Sequence, residues 1–471
     1  MVAAPVPAST MTAVKPTSGA WRAEAKATLV LGLPLVGSQL AHIAQTSTDV
    51  LMMGWVGPET LAAGSLGFNL WVTLFVFAMG VAYAAGGPMA QARGARRPGE
   101  IGYLLPQSLI ATTLVALPLA LLLTQSEQLL LLFGQTPENA AAGGLYALTM
   151  APSFLLANWF ITLRGFMATY GHTRIVLVVA VLSVPLNAVL VYAFLFGRFG
   201  APELGLVGVG LATSLVSLLS FMALAGYVVA VPKLRRHLWF PWRPDWERIA
   251  MLLKLGLPIG TTLLLEVSCF SGAVMLMGIL STEELAAHQI AVQWASMTFM
   301  VPMGLAQAAT VRVGYSIGAG DMTGARLAAH VALVLSGGFM LAAALIFWFV
   351  PGPLVAVFID GSTAPLVASL AATYLAIAAI FQLVDSTQAV GAGSLRGLKD
   401  TRWPMIIAAF GYWLVGFPIA AFLGFWVGWR GVGVWIGLAI GLAVTAALIV
   451  GRFEVLTRKP LRIKELATEI G

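Results

Sequence analysis

Three features of the sequence predict an all-α polytopic membrane protein of twelve transmembrane helices, arranged as two six-helix lobes. The composition is 59% hydrophobic and only 10% charged, with a mean hydropathy of +0.91, whereas a soluble domain carries about 25% charged residues. Apolar windows long enough to cross a bilayer, about 20 residues each, recur twelve times along the chain. A block of the first half also reappears in the second half at an offset of 224 residues, Leu31-Gly-Leu-Pro34 returning as Leu255-Gly-Leu-Pro258.

The windows run over 28–53, 65–88, 103–124, 142–163, 175–197, 206–230, 251–279, 286–310, 327–350, 366–393, 404–427 and 432–452. Met1 to Ala20 is rich in Pro, Ala, Ser and Thr and has no apolar core, so residues 1–27 read as a tail, not a signal peptide. All of the 26 Lys and Arg except Arg198 and Arg430 fall on one side of this arrangement, which places both termini in the cytoplasm by the positive-inside rule. One missed helix would scramble that segregation. The net charge of +7 therefore lies in short loops between spans and does not indicate nucleic acid. The single cysteine, Cys269, excludes an intrachain disulfide framework or a Cys-rich metal site.

The repeat defines the architecture. It continues without a gap through Met53-Gly54 with Met277-Gly278, Leu61-Ala-Ala63 with Leu285-Ala-Ala287, Met79-Gly80 with Met303-Gly304, and Gly94-Ala95 with Gly318-Ala319. Leu163-Arg-Gly165 echoes Leu395-Arg-Gly397 after the fourth helix of each half, and Gly208-Val-Gly210 echoes Gly431-Val-Gly433 at the opening of the last. Six is even, so the halves share one orientation and are related by a pseudo-two-fold along the membrane normal. The expected units are an N-lobe over 28–230, a basic cytoplasmic connector over 231–250, a C-lobe over 251–452 and a cytoplasmic tail over 453–471.

Three of the 19 acidic residues fall inside predicted helices: Asp49 in helix 1, Glu266 in helix 7 and Asp385 in helix 10. A carboxylate at bilayer depth costs about 2.5–3.5 kcal/mol on insertion scales, and such residues mark ion or substrate pathways. One alone could be satisfied by neighbouring hydroxyls; three in a duplicated bundle point to function. At about 1.5 Å per residue, Glu266 lies about 18 Å from Lys254 and Asp385 about 16 Å from Arg396. Both acids belong to the second half at similar depth, so they can share a proton or hold one small cation such as Na⁺.

Polar neighbours flank each acid. Gln382 and Gln388 stand at i−3 and i+3 from Asp385, with Phe381 at i−4; His42 and Gln45 share the face of Asp49; Asn187 and Thr213 interrupt helices 5 and 6. Interhelical hydrogen bonding is the plain alternative for the amides. His42 has no second His or Cys at ligand spacing, so it reads as a packed or pore-facing imidazole. Phe68, Trp71, Phe75, Phe77, Trp294 and Phe299, with Met275, Met277, Met297, Met300 and Met303, could receive apolar cations, although packing against lipid is expected for most. No Asp-x-x-Asp pair exists to hold Mg²⁺ and diphosphate, which argues against a membrane enzyme such as a prenyl transferase, and no Lys or Arg falls mid-helix in this reading, which argues against a flippase that holds a pyrophosphate.

Together, the Leu-Gly-Leu-Pro opening, Thr48-Asp49-Val-Leu-Met-Met-Gly54, Leu264-Leu-Glu266-Val, Val384-Asp385, Gly393-Ser-Leu-Arg-Gly397 and the Gly-Val-Gly pair resemble the multidrug and toxic compound extrusion (MATE) transporters. The acid in helix 7 is similar to the NorM branch. The resemblance covers essentially the whole chain beyond the tail. It implies a V-shaped pair of lobes in the bacterial inner membrane, monomeric and with no cofactor, exporting small cationic or amphipathic drugs in exchange for Na⁺ or H⁺. Glu266 and Asp385 match the family's second-lobe cation site; Asp49 matches its first-lobe acid, with Asn187 and Thr213 as companions. A related branch carries a second acid one turn after the Asn, where this chain has Val191, so a second-lobe site is favoured. A lipid-linked precursor flippase of the wider superfamily is the alternative, and it would require cationic clusters inside the cleft.

Overall fold

The computed structural model describes residues 17–359 and 364–458. Their helices group into twelve segments, one for each apolar window: α1 (Ser18–Val56), α2 (Pro58–Gly94, broken after Ala84), α3 (Pro98–Leu122), α4 (Pro137–Thr149 with Ala151–Tyr170), α5 (Thr173–Phe196), α6 (Leu206–Ala230), α7 (Trp246–Leu280), α8 (Thr282–Gly318), α9 (Met322–Phe349), α10 (Pro365–Gly397), α11 (Arg402–Trp426) and α12 (Arg430–Arg458). Ten of these are long and apolar enough to cross a membrane, and α4, bent by 43° between its two parts, makes an eleventh. The twelfth, α8, spans 37 residues but carries Gln, Thr, His and Arg along its length.

Local chemistry sets the ends. The side chains of Thr17, Asp245, Ser281 and Asp321 accept from backbone N–H groups three residues on, capping α1, α7, α8 and α9. Pro58, Pro98, Pro137 and Pro365 stand at first helical positions, where the missing N–H costs nothing. Pro34 and Pro258 sit inside α1 and α7 at equivalent places in the repeat, which membrane helices tolerate. In α11, two stretches, Ala409–Gly416 and Phe422–Trp426, are wound as π-helix.

Several helices outrun their windows. Helix α1 begins at Ser18, so ten residues of the expected tail 1–27 are helical, and α12 continues to Arg458 into the expected tail 453–471. Charged residues end a hydropathy window, but they do not end backbone hydrogen bonding. The rest of both tails, including Lys15, Lys459, Arg462 and Lys464, lies outside the described residues.

The connector 231–250 is ordered against the first lobe. Gln107 donates to the Arg243 carbonyl at 3.0 Å and accepts from the Asp245 N–H at 2.9 Å. His237 is buried between Phe166 and Phe240, with its Nε2 2.8 Å from the Tyr170 hydroxyl. Burial, with Arg236 alongside, pushes the His237 imidazole down to about 4, below the ordinary value of about 6.5. Folding therefore favours its neutral form: the stabilisation is complete above pH 6.5 and is lost as pH falls toward 4. The thermal midpoint of the detergent-solubilised protein is expected to fall between pH 7 and pH 5, and His237→Gln should flatten that slope.

Each half has its own core. One centres on Trp71, Phe75, Tyr146 and Phe154 and is continued by Phe166 and Met167; the other centres on Tyr374, Phe381, Tyr412 and Trp435. Trp71, Phe75 and Met277 thus pack inside the lobes, contrary to the expected lipid exposure, whereas Met275 is exposed.

The lobes meet through α1 on α8 and, equivalently in the repeat, α7 on α2. The closest approaches fall where glycine lets backbones touch. A Cβ on Gly80 would overlap the Gly260 backbone, one on Gly94 the Tyr315 carbonyl, and one on Gly318 the Gln91 carbonyl. Gln91 donates to the Gly397 carbonyl at 2.8 Å, and Arg312 of α8 pairs with Glu24 of α1 at 2.7 Å. All of these contacts lie toward the end that carries the connector and most basic residues. No such glycine-mediated approach joins the lobes at the opposite end among the described residues. Removing Glu24 and Arg312 singly and together (Glu24→Gln, Arg312→Gln) should reveal a coupling of about 1 kcal/mol in a thermal-stability cycle, weakened by added salt.

Candidate functional site

In the second lobe, Asp385 points inward from α10 and is 5% exposed. It interacts electrostatically with Glu266 of α7, and Tyr412 of α11 lies within reach of both charges. The π-helical stretch Ala409–Gly416 carries Tyr412 to this point. Glu266 lines two cavities, one of about 40 Å³ with Gln388 and Arg396, and a smaller one with Cys269, Phe270 and Tyr412. Glu266 and Asp385, expected at equal depth, both border the region around Tyr412, although Asp385 lines neither cavity.

Asp385 Oδ1, Gln388 Oε1, Gln382 Nε2 and the Tyr412 hydroxyl are all buried without a hydrogen-bond partner in the protein. Leaving such a group unpaired costs about 1–3 kcal/mol, so the three oxygens are ones that a bound cation or proton would complete, whereas Gln382 Nε2 is a donor that a cation leaves unpaired. Carboxylate, amide and phenol oxygens suit a hard cation or a proton. Among the described residues, no group of three or more His, Cys, Asp and Glu is arranged to hold a transition metal. Gln382 accepts from the Thr298 hydroxyl at 2.9 Å. Phe381 is packed edge-on against Trp435 and Phe270, supporting the site without lining the larger cavity.

In the first lobe, Asp49 is 7% exposed. Asn187 Nδ2 donates to its Oδ1, and the Thr213 hydroxyl lies 3.4 Å from Oδ2. The three residues expected together are together. Gln45 accepts from Ser183 at 3.4 Å, one turn away. His42 does not join the cluster; it is solvent-accessible yet closely surrounded by protein, on the face of α1 that it shares with Gln39 and toward Arg164. Val191 is fully buried in apolar packing, so no second carboxylate assists Asp49 there.

Two sets of residues escaped the sequence reading. Tyr412, Tyr374, His288 and Trp435 bury polar tips without partners in the second lobe; polar-tipped aromatics inside apolar windows were the available signal. The second set corrects an expectation. Arg164 and Arg396 were assigned to loops after helices 4 and 10, yet they lie within α4 and α10 and line an internal cavity at the meeting of the lobes. Arg164 is 5% exposed, donating to Gln39 Oε1 at 2.7 Å and to the Tyr83 hydroxyl at 3.1 Å.

Duplicated six-helix lobes, joined at one end and each holding a buried acid, form a two-lobe membrane transporter. The MatE family model matches residues 34–193 and again 258–422, its two starts separated by the 224 residues of the internal repeat. The "Probable multidrug resistance protein NorM" of Mesorhizobium japonicum is 42% identical over 439 residues, covering 92% of this chain and 94% of that protein. The protein of the same name from Rhizobium meliloti is 40% identical over 447 residues, covering 94% and 96%. The chain belongs to the MatE family and is of the NorM type. Among solved structures, the eukaryotic MATE transporter AtDTX14 superposes with a TM-score of 0.84 at 22% identity, over 96% of this chain and 100% of that one. An outward-facing multidrug resistance MATE family transporter gives 0.81 at 20%, over 96% and 99%.

Proposed function

We propose that this protein is a multidrug efflux antiporter of the bacterial inner membrane, acting as a monomer and exporting cationic or amphipathic drugs in exchange for Na⁺ or H⁺. The reading is carried by the paired acids Glu266 and Asp385, set among unpartnered oxygens in the second lobe. The segregation of basic residues supports cytoplasmic termini, so lobes joined at the basic end correspond to a conformation open to the outside. In that state a coupling ion enters at Glu266 and Asp385, and its binding favours drug release. Return to the inward-open state carries the ion inward. Coupling requires ion and drug to prefer different states, because equal affinity for both shifts nothing. Asp49, held by Asn187 and Thr213, is the first-lobe acid, and Gln45 lies one turn away.

The experiment is efflux of a fluorescent organic cation such as ethidium from proteoliposomes, first under an imposed Na⁺ gradient and then under an imposed pH gradient. One gradient should accelerate efflux, and a response to neither would overturn the antiporter reading. The internal pair Arg164 and Arg396 favours the flippase alternative in charge. The cavity they line, about 30 Å³, is small for a lipid pyrophosphate.

A further inference from the structure

Arg164 and Arg396 reach the same aromatic ring from opposite lobes: their guanidinium carbons lie 5.7 and 5.9 Å from the Tyr83 ring centroid. Neither has a carboxylate within 4 Å among the described residues. Between them is the cavity of about 30 Å³, walled by Tyr83, Gln307, Gly86 and Thr310. Gln307 and Thr310 are the residues 224 positions beyond Tyr83 and Gly86, and the two arginines occupy the two Leu-Arg-Gly motifs. The cavity therefore lies where repeat-equivalent residues converge on the pseudo-two-fold axis. It is a property of the joined lobes; neither lobe forms it alone.

The charges here are unbalanced. Arg396 shares its other cavity with Glu266. The position equivalent to Glu266 in the first half is His42, again at the offset of 224. Arg164 thus has an imidazole where its counterpart has a carboxylate, and its own partners, an amide and a phenol, are neutral. Two guanidinium groups at one low-dielectric junction repel each other, and an anion between them converts the repulsion into attraction. The guanidinium fork suits small oxyanions and halides. A water-sized site needs about 10–15 Å³, so the space of about 30 Å³ has room for a halide or the two oxygens of a carboxylate.

We propose that a compact monovalent anion, a halide or a carboxylate group, binds between Arg164 and Arg396 and holds the two lobes together in this conformation. Because the site is divided when the lobes part, the anion stabilises the joined state over the alternative. Arg396 shares a cavity with Glu266, so the two sites are neighbours and the test holds Na⁺ constant.

The test uses the full-length protein in detergent, at constant Na⁺ and constant ionic strength, with sodium isethionate replaced stepwise by sodium chloride, sodium bromide or sodium acetate. The thermal midpoint is expected to rise saturably. A rise with chloride and bromide alone identifies a free inorganic anion; a rise with acetate alone identifies a carboxylate such as a substrate's own; a rise with all three supports the site for either source. The saturable part should vanish in Arg396→Gln and Arg164→Gln, and half-saturation should move at least about tenfold higher in Arg164→Lys, which keeps the charge and loses the fork. A wild-type midpoint that is the same in all four salts overturns the proposal, whatever the variants do. So does a saturable response that survives in both glutamine variants.

Discussion

Replacing Asp385 by Asn is expected to lower ion-driven efflux in proteoliposomes at least about tenfold, with protein in the membrane at near-normal amounts. Asn keeps the shape of the side chain and removes the ionisable carboxyl near Glu266 and Tyr412. A hydrogen bond or contact to an ionised group contributes about 1.5–3 kcal/mol, which corresponds to roughly 10–150-fold in cation affinity. Glu266→Gln should behave alike, and the double variant should lose little beyond either single one, because two ligands of one ion are not additive. Asp49→Asn is expected to have the smaller effect, since Asn187 and Thr213 can still hydrogen-bond to an amide at that position. Transport that survives Asp385→Asn and Glu266→Gln at the normal rate would remove the second lobe from the coupling mechanism. Transport abolished only by Asp49→Asn would assign that role to the first.

The second large effect is expected from a single methyl group. Gly80→Ala places a Cβ against the backbone of Gly260, where neither partner has a flexible side chain to move aside. The two helices must separate, and the joined basic end is lost with them. Efflux should fall at least about tenfold although the protein inserts normally, because each lobe keeps its own core. Overpacking of this kind costs about 1–3 kcal/mol, enough to move a two-state balance by an order of magnitude. Gly54→Ala, with open space around it, is the control and should transport as the unmodified protein does. Unchanged efflux in Gly80→Ala would mean that the approach of α2 to α7 is not part of the cycle.

Much of this was legible because lipid simplifies the code. Twelve apolar windows, an exact offset between halves and acids where water is absent are each readable from residue types, and Asp49, Asn187 and Thr213 duly converge. The reading failed where one residue type plays two parts. Arg164 and Arg396 resembled loop residues because a hydropathy window stops at charge, while α4 and α10 run on to Tyr170 and Gly397. Tyr412 and Trp435 counted as apolar, yet their polar tips are buried beside the acids' lobe core. Trp71 and Phe75 could have faced lipid, and only tertiary packing decides that they stack on each other at 4.5 Å inside the first lobe.

The π-wound stretches of α11 bear on how this chain tolerates changes in length. A π turn carries one residue more than the α turn it replaces, so Ala409–Gly416 contains, in effect, an accommodated insertion. Deleting one residue there would let the segment relax to ordinary α-helix without shortening the span by more than a fraction of a turn. The helix on either side would keep its phase, because the removed residue is the one the π turn absorbs, and only the side chains within the stretch would shift. Tyr412 would leave the acids, or Gly411 and Gly416 would leave the groove of α12 in which they now seat against Thr445 and Gly441. Single-codon deletions within Ala409–Gly416 should therefore be tolerated by folding and rejected by transport, whereas in the unbroken α-helix of α9 a deletion turns everything on one side by about 100° and folding itself should fail.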